Sequence, residues 1–482
     1  MLNKFLKSLS ILLLLNLLIK PFWVLFVDRL VQEQVGNVAF GMYQTFASFS
    51  LIFSIILDPG LKNFYNTSLS QDVSMHHRDT GRYILIKLLL GSVFFILIAS
   101  VAFTSADYRQ NWDLFLLLAT NHILLSFLLF FRSTLTGLGY YKRDSVMSVV
   151  DRVIMVLTAV PIFFTDWFQE FKTVEAFAWV HTIGYIGGII ICFVFLGKHT
   201  FEISFKINFD GFGPILKRSF PFALFTGLMS LYIYADFIML ERLLPNGYES
   251  AGLYRKSYRF LEASSMFALL FGNLLLPIFS TVIGKKGDLN TMIRVVFKIL
   301  VIPSFFVVIA CFGYREEIMQ LAYPNEKPIV AQSFGWLMTD YIAITLFYLF
   351  GTVLTAAHEL RLLNIFAGIG VLVNIGLNAI LIPKIGIMGA VIATLSTHGA
   401  VGILQMITTL TKYNIFPKPT VIARIFGYIG FSVLSFLVLQ QSNFNWLYQL
   451  IILSALSLTF ALVFQVFSFK QLFILLKSKV NE

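Results

Sequence analysis

The sequence predicts an all-α, polytopic membrane protein of about fourteen transmembrane helices, organised as two six-helix lobes followed by two further helices. Three observations carry that prediction. Hydrophobic residues make up 58% of the 482 and charged residues 13%, with a mean hydropathy of +0.81; a soluble globular chain is about half apolar and about a quarter charged. Apolar runs of roughly 18 to 25 residues recur along the whole length and leave no room for a separate soluble domain. The chain also repeats itself at an interval of roughly 211 to 222 residues, as transporters built from duplicated helix bundles do.

The spans fall at 8–27, 39–57, 83–103, 114–131, 145–164, 176–196, 220–240, 251–283, 292–312, 329–357, 362–382, 386–410, 421–439 and 446–467. The first, "SILLLLNLLIKPFWVLFV", follows Lys4 and Lys7 as a signal peptide would. No small-residue cleavage site follows it and apolar sequence continues past Lys20, so it is expected to stay as the first helix. An even number of spans puts both termini on one side. Lys and Arg distribute about 21 to about 7 between the two sides, the richer side holding Lys142, Arg143, Lys217, Arg218, Lys285 and Lys286; the positive-inside rule then places both termini in the cytoplasm. Topology accounts for the net charge of +11 without nucleic-acid binding. Cys192 and Cys311 lie inside apolar runs, so neither a disulfide framework nor a thiolate metal site is expected.

Two pairs of segments align across the repeat. "VDRLVQEQVGNVAFGMY" at 27–43 matches "LERLLPNGYESAGLY" at 240–254, pairing Asp28 and Arg29 with Glu241 and Arg242, and Gly41 and Tyr43 with Gly252 and Tyr254. "LTGLGYYKRDSVMSVVDRVIMVLTAVP" at 135–161 matches "LTAAHELRLLNIFAGIGVLVNIGLNAILIP" at 354–383. The expected divisions are 1–200 and 201–412 for the two lobes, with 413–482 supplying two additional helices and a cytoplasmic tail. Helix direction is the same in both halves, which implies a parallel repeat about an axis normal to the membrane.

Catalytic signatures are missing. There is no G-x-x-x-x-G-K-[ST] phosphate loop, no G-x-S-x-G elbow and no His-rich metal cluster, so no cofactor or metal is predicted and the chain reads as a transporter, not an enzyme. His76 and His77 are neighbours in a polar loop and do not share a helix face. "GYIGGII" at 184–190 reads as a close helix-packing segment.

Ionisable side chains at bilayer depth cost at least a few kcal/mol and usually face a protein interior or a wet cavity, whereas near helix ends they snorkel. Lys20 lies past the middle of the first span, beside Pro21, and is a cavity candidate. Asp151 and Arg152 form either an interfacial pair or a second cavity site. Asp236 sits among Tyr232 and Tyr234, whose rings can stack on sugar faces. Asp340, inside the tenth span, is the candidate for a coupling-ion or proton site. Arg294 and Lys298 stand one turn apart in the first part of the ninth span, and Arg294 is expected to snorkel to the cytoplasm. In "AGLYRKSYRFLEASSMFALLFGNLLLP" at 251–277, Arg255, Arg259 and Glu262 share one stripe at i, i+4, i+7. Residues 263 to 283 alone can span about 30 Å of hydrocarbon, so those charges can rest at an interface. Their repeat equivalents, Gln44, Ser48 and Leu51, are uncharged, so the fold does not require them.

"NIGLNAILIPKIGIMGAVIATLSTHG" at 374–399, with Asn374, Asn378, Pro383, Gly386, Gly389, Ala390, Ala393 and Thr394, resembles the signature of the polysaccharide flippases in the multidrug, oligosaccharidyl-lipid and polysaccharide exporter superfamily. "DPGLKNFYNTSLSQD" at 58–72 and "FRSTLTGLGYYKRDS" at 131–145 are similar to the family pattern at the ends of its second and fourth helices. The resemblance implies movement of an undecaprenyl-diphosphate-linked oligosaccharide from the inner to the outer leaflet of a bacterial cytoplasmic membrane. It implies as partners that lipid-linked oligosaccharide, membrane lipids, H+ or Na+, and polysaccharide polymerase machinery. Arg255 and Arg259 are then candidates to guide the diphosphate, to which Arg makes bidentate bonds, with Lys20 and Arg152 secondary. Open alternatives are a cation-coupled multidrug antiporter and a peptidoglycan-precursor flippase of the same superfamily; from other classes, a polysaccharide polymerase, an acyltransferase or a non-transporting scaffold.

Overall fold

The computed structural model describes residues 15–72, 74–103, 106–200, 212–324, 326–415 and 418–466. Every regular element among them is helical, and thirteen helices are long and apolar enough to cross a membrane. These thirteen coincide with the second to fourteenth expected spans. The first expected span begins outside the described residues and is helical from residue 15 onward.

The all-α prediction therefore holds, with two local additions. Pro21 lacks an N–H and its ring crowds the carbonyl four residues earlier; directly after it the helix widens into a π-turn, Trp23–Val27, before continuing as Asp28–Val35. Short helices also occupy polar stretches between spans: Leu61–Gln71, Ala106–Gln110 and Arg315–Ala322. Gly60, at φ 86°, turns the chain into Leu61–Gln71, and Asp58 Oδ1 accepts the Lys62 N–H at 3.1 Å. Hydropathy registers only apolar runs, so polar helices of this kind leave no trace in it.

The helices form two compact units, Met1–Arg255 and Lys256–Glu482, and the division falls within the single helix Gly247–Gly284. In the first unit, Val174–Leu196 packs against both Trp112–Gly137 and Tyr141–Phe163, and Asn37–Phe53 packs against Phe212–Leu243. Small residues permit these approaches, as expected for helices in lipid. A Cβ on Gly184 would lie 2.5 Å from Met155 Cγ, and one on Gly188 would lie 3.2 Å from Leu128, which bears out the packing role of "GYIGG". Lys87, buried in the span Asp79–Ala102, donates to the Leu57 carbonyl at 3.0 Å and Ser126 Oγ at 2.7 Å, closing the end of the neighbouring helix.

Two repeat-related glycines meet in the first unit. A Cβ on Gly41 would sit 1.8 Å from the Tyr248 carbonyl oxygen, and one on Gly252 would sit 2.1 Å from that of Asn37. Gln32 Nε2 donates to the Gly252 carbonyl at 2.7 Å beside this contact. Because the obstacles are backbone atoms, no rotamer change relieves a clash. Gly252→Ala is expected to cost about 2–3 kcal/mol, read as a lower unfolding midpoint in detergent. Gly430→Ala, at a mid-helix position with open space around it, is expected not to lower the midpoint, since Ala favours the helix.

In the second unit, Pro328–Ala356 and Leu360–Ile385 pack against Ile387–Lys412, and Leu289–Gly313 packs against Pro328–Ala356. The last two helices, Pro419–Gln440 and Trp446–Val463, pair with each other and rest on Leu289–Gly313. One seam buries Ile302, Tyr428, Ala461 and Val466, and another buries Tyr314, Leu439 and Leu453.

Candidate functional site

The charge-bearing part of the first unit lies on three helices. Residues 15–22 carry Asn16 and Lys20, Trp112–Gly137 carries Arg132, and Tyr141–Phe163 carries Asp144, Asp151 and Arg152. Asn16 donates to Ser148 Oγ at 2.7 Å, which docks the first helix onto Tyr141–Phe163. Arg132 Nε pairs with Asp144 Oδ1 at 2.9 Å, and Arg152 Nε stands 3.8 Å from Asp151 Oδ2. The Arg152 guanidinium lies 5.6 Å from the centroid of the Trp23 ring, in the π-turn, and Trp23 itself stacks on Phe177. Lys20 is half-buried and feels the charges of Arg132, Arg152, Asp151 and Asp144 together, while its ammonium makes no hydrogen bond among the described residues. Three cations facing two carboxylates leave a surplus of one positive charge among largely buried groups, where unneutralised charge is costly.

The second unit holds a different arrangement. His398 Nδ1 hydrogen-bonds Asp340 Oδ2, Asp340 is wholly buried, and its Oδ1 has no hydrogen-bond partner among the described residues. Both residues lie near the middles of their helices, Pro328–Ala356 and Ile387–Lys412. His398 is the ionisable group acting on Asp340. A carboxylate and an imidazole in hydrogen-bond contact away from water can hold and release a proton between them.

Against this geometry stand the known proteins. The pattern of the family described as "Polysaccharide biosynthesis protein" matches residues 5–283. The chain belongs to that family. As a member of the polysaccharide biosynthesis family it is 24% identical, over 78% of its length and 91% of the relative's, to an uncharacterized membrane protein of Methanocaldococcus jannaschii. Its fold is similar to that of the lipid II flippase MurJ in an inward closed conformation, with a TM-score of 0.70, 14% identity, and coverage of 96% of this chain and 98% of that one. It is similar also to an inward-facing multidrug resistance MATE transporter of the MOP superfamily, with a TM-score of 0.61 at 12% identity over 81% and 94% of the two chains. A MOP superfamily transporter from Pyrococcus furiosus gives 0.62 at 12% over 85% and 96%. At these identities the likeness is one of fold.

The remaining candidate residues of this family member separate into several environments. Arg255 Nη2 pairs with Asp28 Oδ2 at 2.9 Å, with the two side chains 9% and 8% exposed. Arg259 is fully buried and donates to the Tyr323 hydroxyl, while Lys256 pairs with Glu326. Glu262 is half-buried, with its backbone carbonyl taken by Ser265 Oγ. Asp236 is buried and accepts from the Tyr254 hydroxyl at 2.9 Å; Tyr232 is buried and Tyr234 half-buried.

The family-motif residues do structural work. Asn374 and Asn378 are buried and linked at 3.1 Å, Gly386 takes φ 62° where the helix containing Pro383 ends, and a Cβ on Gly389 would lie 2.5 Å from the Leu381 carbonyl carbon. His76 bonds the His199 carbonyl at 2.9 Å, beside a Tyr65 hydroxyl that burial pushes up to about 12. A cleft of about 230 Å³ in the first unit, lined by Ser54, Asp58, Lys62, His122, Ser126 and Thr226 among others, includes none of the candidates.

Sequence reasoning did not single out Arg132, Asp144 or His398, which the structure sets beside the candidate residues. Each stood inside a quoted motif stretch; His398 alone gave a usable signal, an imidazole well inside an apolar run, whereas Arg132 and Asp144 lie near helix ends.

Proposed function

We propose that the chain is a flippase that carries an undecaprenyl-diphosphate-linked oligosaccharide from the inner to the outer leaflet of a bacterial cytoplasmic membrane, for assembly of O-antigen, capsule or exopolysaccharide. It works by alternating access of its two lobes, with both termini in the cytoplasm. The observation that carries the reading is the surplus positive charge around Lys20, whose ammonium is uncommitted beside two arginines. A diphosphate supplies the missing anion and accepts bonds from both ammonium and guanidinium groups. A site for cationic drugs would instead hold surplus carboxylate.

In this reading Lys20 and Arg152 lead, with Arg132 orienting Asp144. Arg255, held by Asp28, and Arg259, held by Tyr323, join only if those contacts open during the cycle, and Glu262 accompanies them. Tyr232, Tyr234 and Asp236 are candidates for sugar contact. Asp340 with His398 takes the coupling proton, or Na+ in its place. Polysaccharide polymerase machinery receives the product. The likeness to MurJ favours a second reading, a peptidoglycan precursor, which shares the same diphosphate chemistry.

Proteoliposomes offered a fluorescent undecaprenyl-diphosphate oligosaccharide, lipid II or a cationic dye separate these readings. The oligosaccharide lipid is expected to cross. Lys20→Gln with Arg152→Gln is expected to slow it at least tenfold, as the loss of two charge-assisted contacts requires, while Lys286→Gln in an exposed loop leaves the rate unchanged. Transport of the dye alone, or full activity in the double variant, would sink the proposal.

A further inference from the structure

The ninth, thirteenth and fourteenth spans bring three cations together at one membrane face. Arg294 and Lys298 are one turn apart on Leu289–Gly313, and Arg424 is in the second turn of Pro419–Gln440. Lys298 Nζ donates to the carbonyl of Gln465 at 3.1 Å, and Arg424 Nη1 donates to Oε1 of the same Gln465 at 3.0 Å. Gln465 ends the last helix in the left-handed conformation of a C-cap, φ 55°, with the Val466 N–H donating to the Ala461 carbonyl at 3.0 Å. Lys298 feels the positive charges of both Arg424 and Arg294. Among the described residues no carboxylate forms an ion pair with any of the three; Asp288, the nearest acid in sequence, caps Thr291 and feels the charge of Arg294 from beyond ion-pair distance.

Cations that merely snorkel spread apart toward water. Here the fold does the opposite, tethering two of them to one residue and setting a third alongside. Directly beneath lies the apolar seam of Ile302, Tyr428 and Val466, and Ile422 and Phe426 stand exposed beside Arg424. A cationic rim over an apolar wall is complementary to a phosphate carried on acyl chains.

We propose that this seam is a binding site for an acidic glycerophospholipid of the leaflet at that face, with Arg294, Lys298 and Arg424 holding its phosphate and Pro419–Gln440 lying along its chains. The occupant is a resident lipid, distinct from the lipid-linked substrate, and the inference does not depend on what is transported.

Native mass spectrometry of the full chain titrated with phosphatidylglycerol or phosphatidylcholine tests it. Phosphatidylglycerol is expected to bind at least about tenfold more tightly. Removing one charge with Arg294→Gln should weaken it about fivefold, and Lys298→Gln with Arg424→Gln should bring the two lipids to near parity. Equal binding of both lipids to the unaltered protein overturns the proposal, as does a preference that survives in a folded double variant. Should the double variant fail to fold, Arg294→Gln decides alone, since its side chain is exposed, and unchanged affinity there sinks the idea. Displacement of bound phosphatidylglycerol by undecaprenyl phosphate would assign the seat to the transported lipid and equally refute a resident one.

Discussion

Asp28→Asn is expected to destabilise the protein by about 3–5 kcal/mol, the effect of stripping one partner from a buried ion pair. Asp28 and Arg255 are both more than nine-tenths buried and bonded at 2.9 Å. The guanidinium that loses this carboxylate cannot neutralise itself by losing a proton, since Arg stays charged. Replacing both residues by Leu and Met should recover most of the loss, because well-packed apolar residues often do as well as a buried pair. Unfolding midpoints in detergent for the single and double variants measure this. A single-variant cost under about 1 kcal/mol would mean the pair is wetted and behaves as an exposed one. Arg255 would then be available to an anionic substrate without first breaking a contact.

The second large effect is expected at the buried carboxylate–imidazole contact. Asp340→Asn preserves shape and removes the group that can exchange a proton with His398. In proteoliposomes with an imposed pH gradient, the variant should lose at least tenfold of the gradient-driven flux while retaining slow movement down the substrate's own gradient. The same vesicles with a sodium gradient discriminate the ion. Flux that follows sodium and ignores pH removes the proton from the reading. Flux per folded molecule that responds to the pH gradient as in the unaltered protein would make the pair a structural contact, worth about 3–5 kcal/mol when broken.

Much of the architecture was legible because lipid imposes it. A chain that must satisfy every backbone group without water forms helices of bilayer length, and hydropathy marks those directly. The polar helix Leu61–Gln71 and the π-turn Trp23–Val27 were not legible, since neither alters mean hydropathy. The site was legible in part. Depth alone flagged Lys20, Arg152 and Asp340 as candidates, and the structure sets Arg152 beside Asp151, Asp340 against His398 and Lys20 among the charges of Arg132, Arg152, Asp151 and Asp144. The stripe of Arg255, Arg259 and Glu262 illustrates where periodicity stops. Shared helix face predicts a common direction, but the partners Asp28 and Tyr323 lie more than sixty residues away in sequence, and only tertiary packing reveals that they claim the two arginines. Arg132 and His398 escaped for the complementary reason, because a charge near a helix end or a lone imidazole gains meaning only from the residue opposite it.

The widened turn after Pro21 changes the phase of the first helix. Five residues wound more loosely than an α-helix shift everything before them by about a quarter turn relative to everything after. Lys20 lies on one side of this shift and Asp28 on the other. An uninterrupted helix would not direct both toward the neighbours they now have. The turn therefore acts as a registration offset of one residue between two charged positions on the same rod. Deleting a single residue within 23–27 should leave a hydrophobic helix of nearly unchanged length while misaligning either Lys20 or Asp28, a change that no tally of composition or charge would detect.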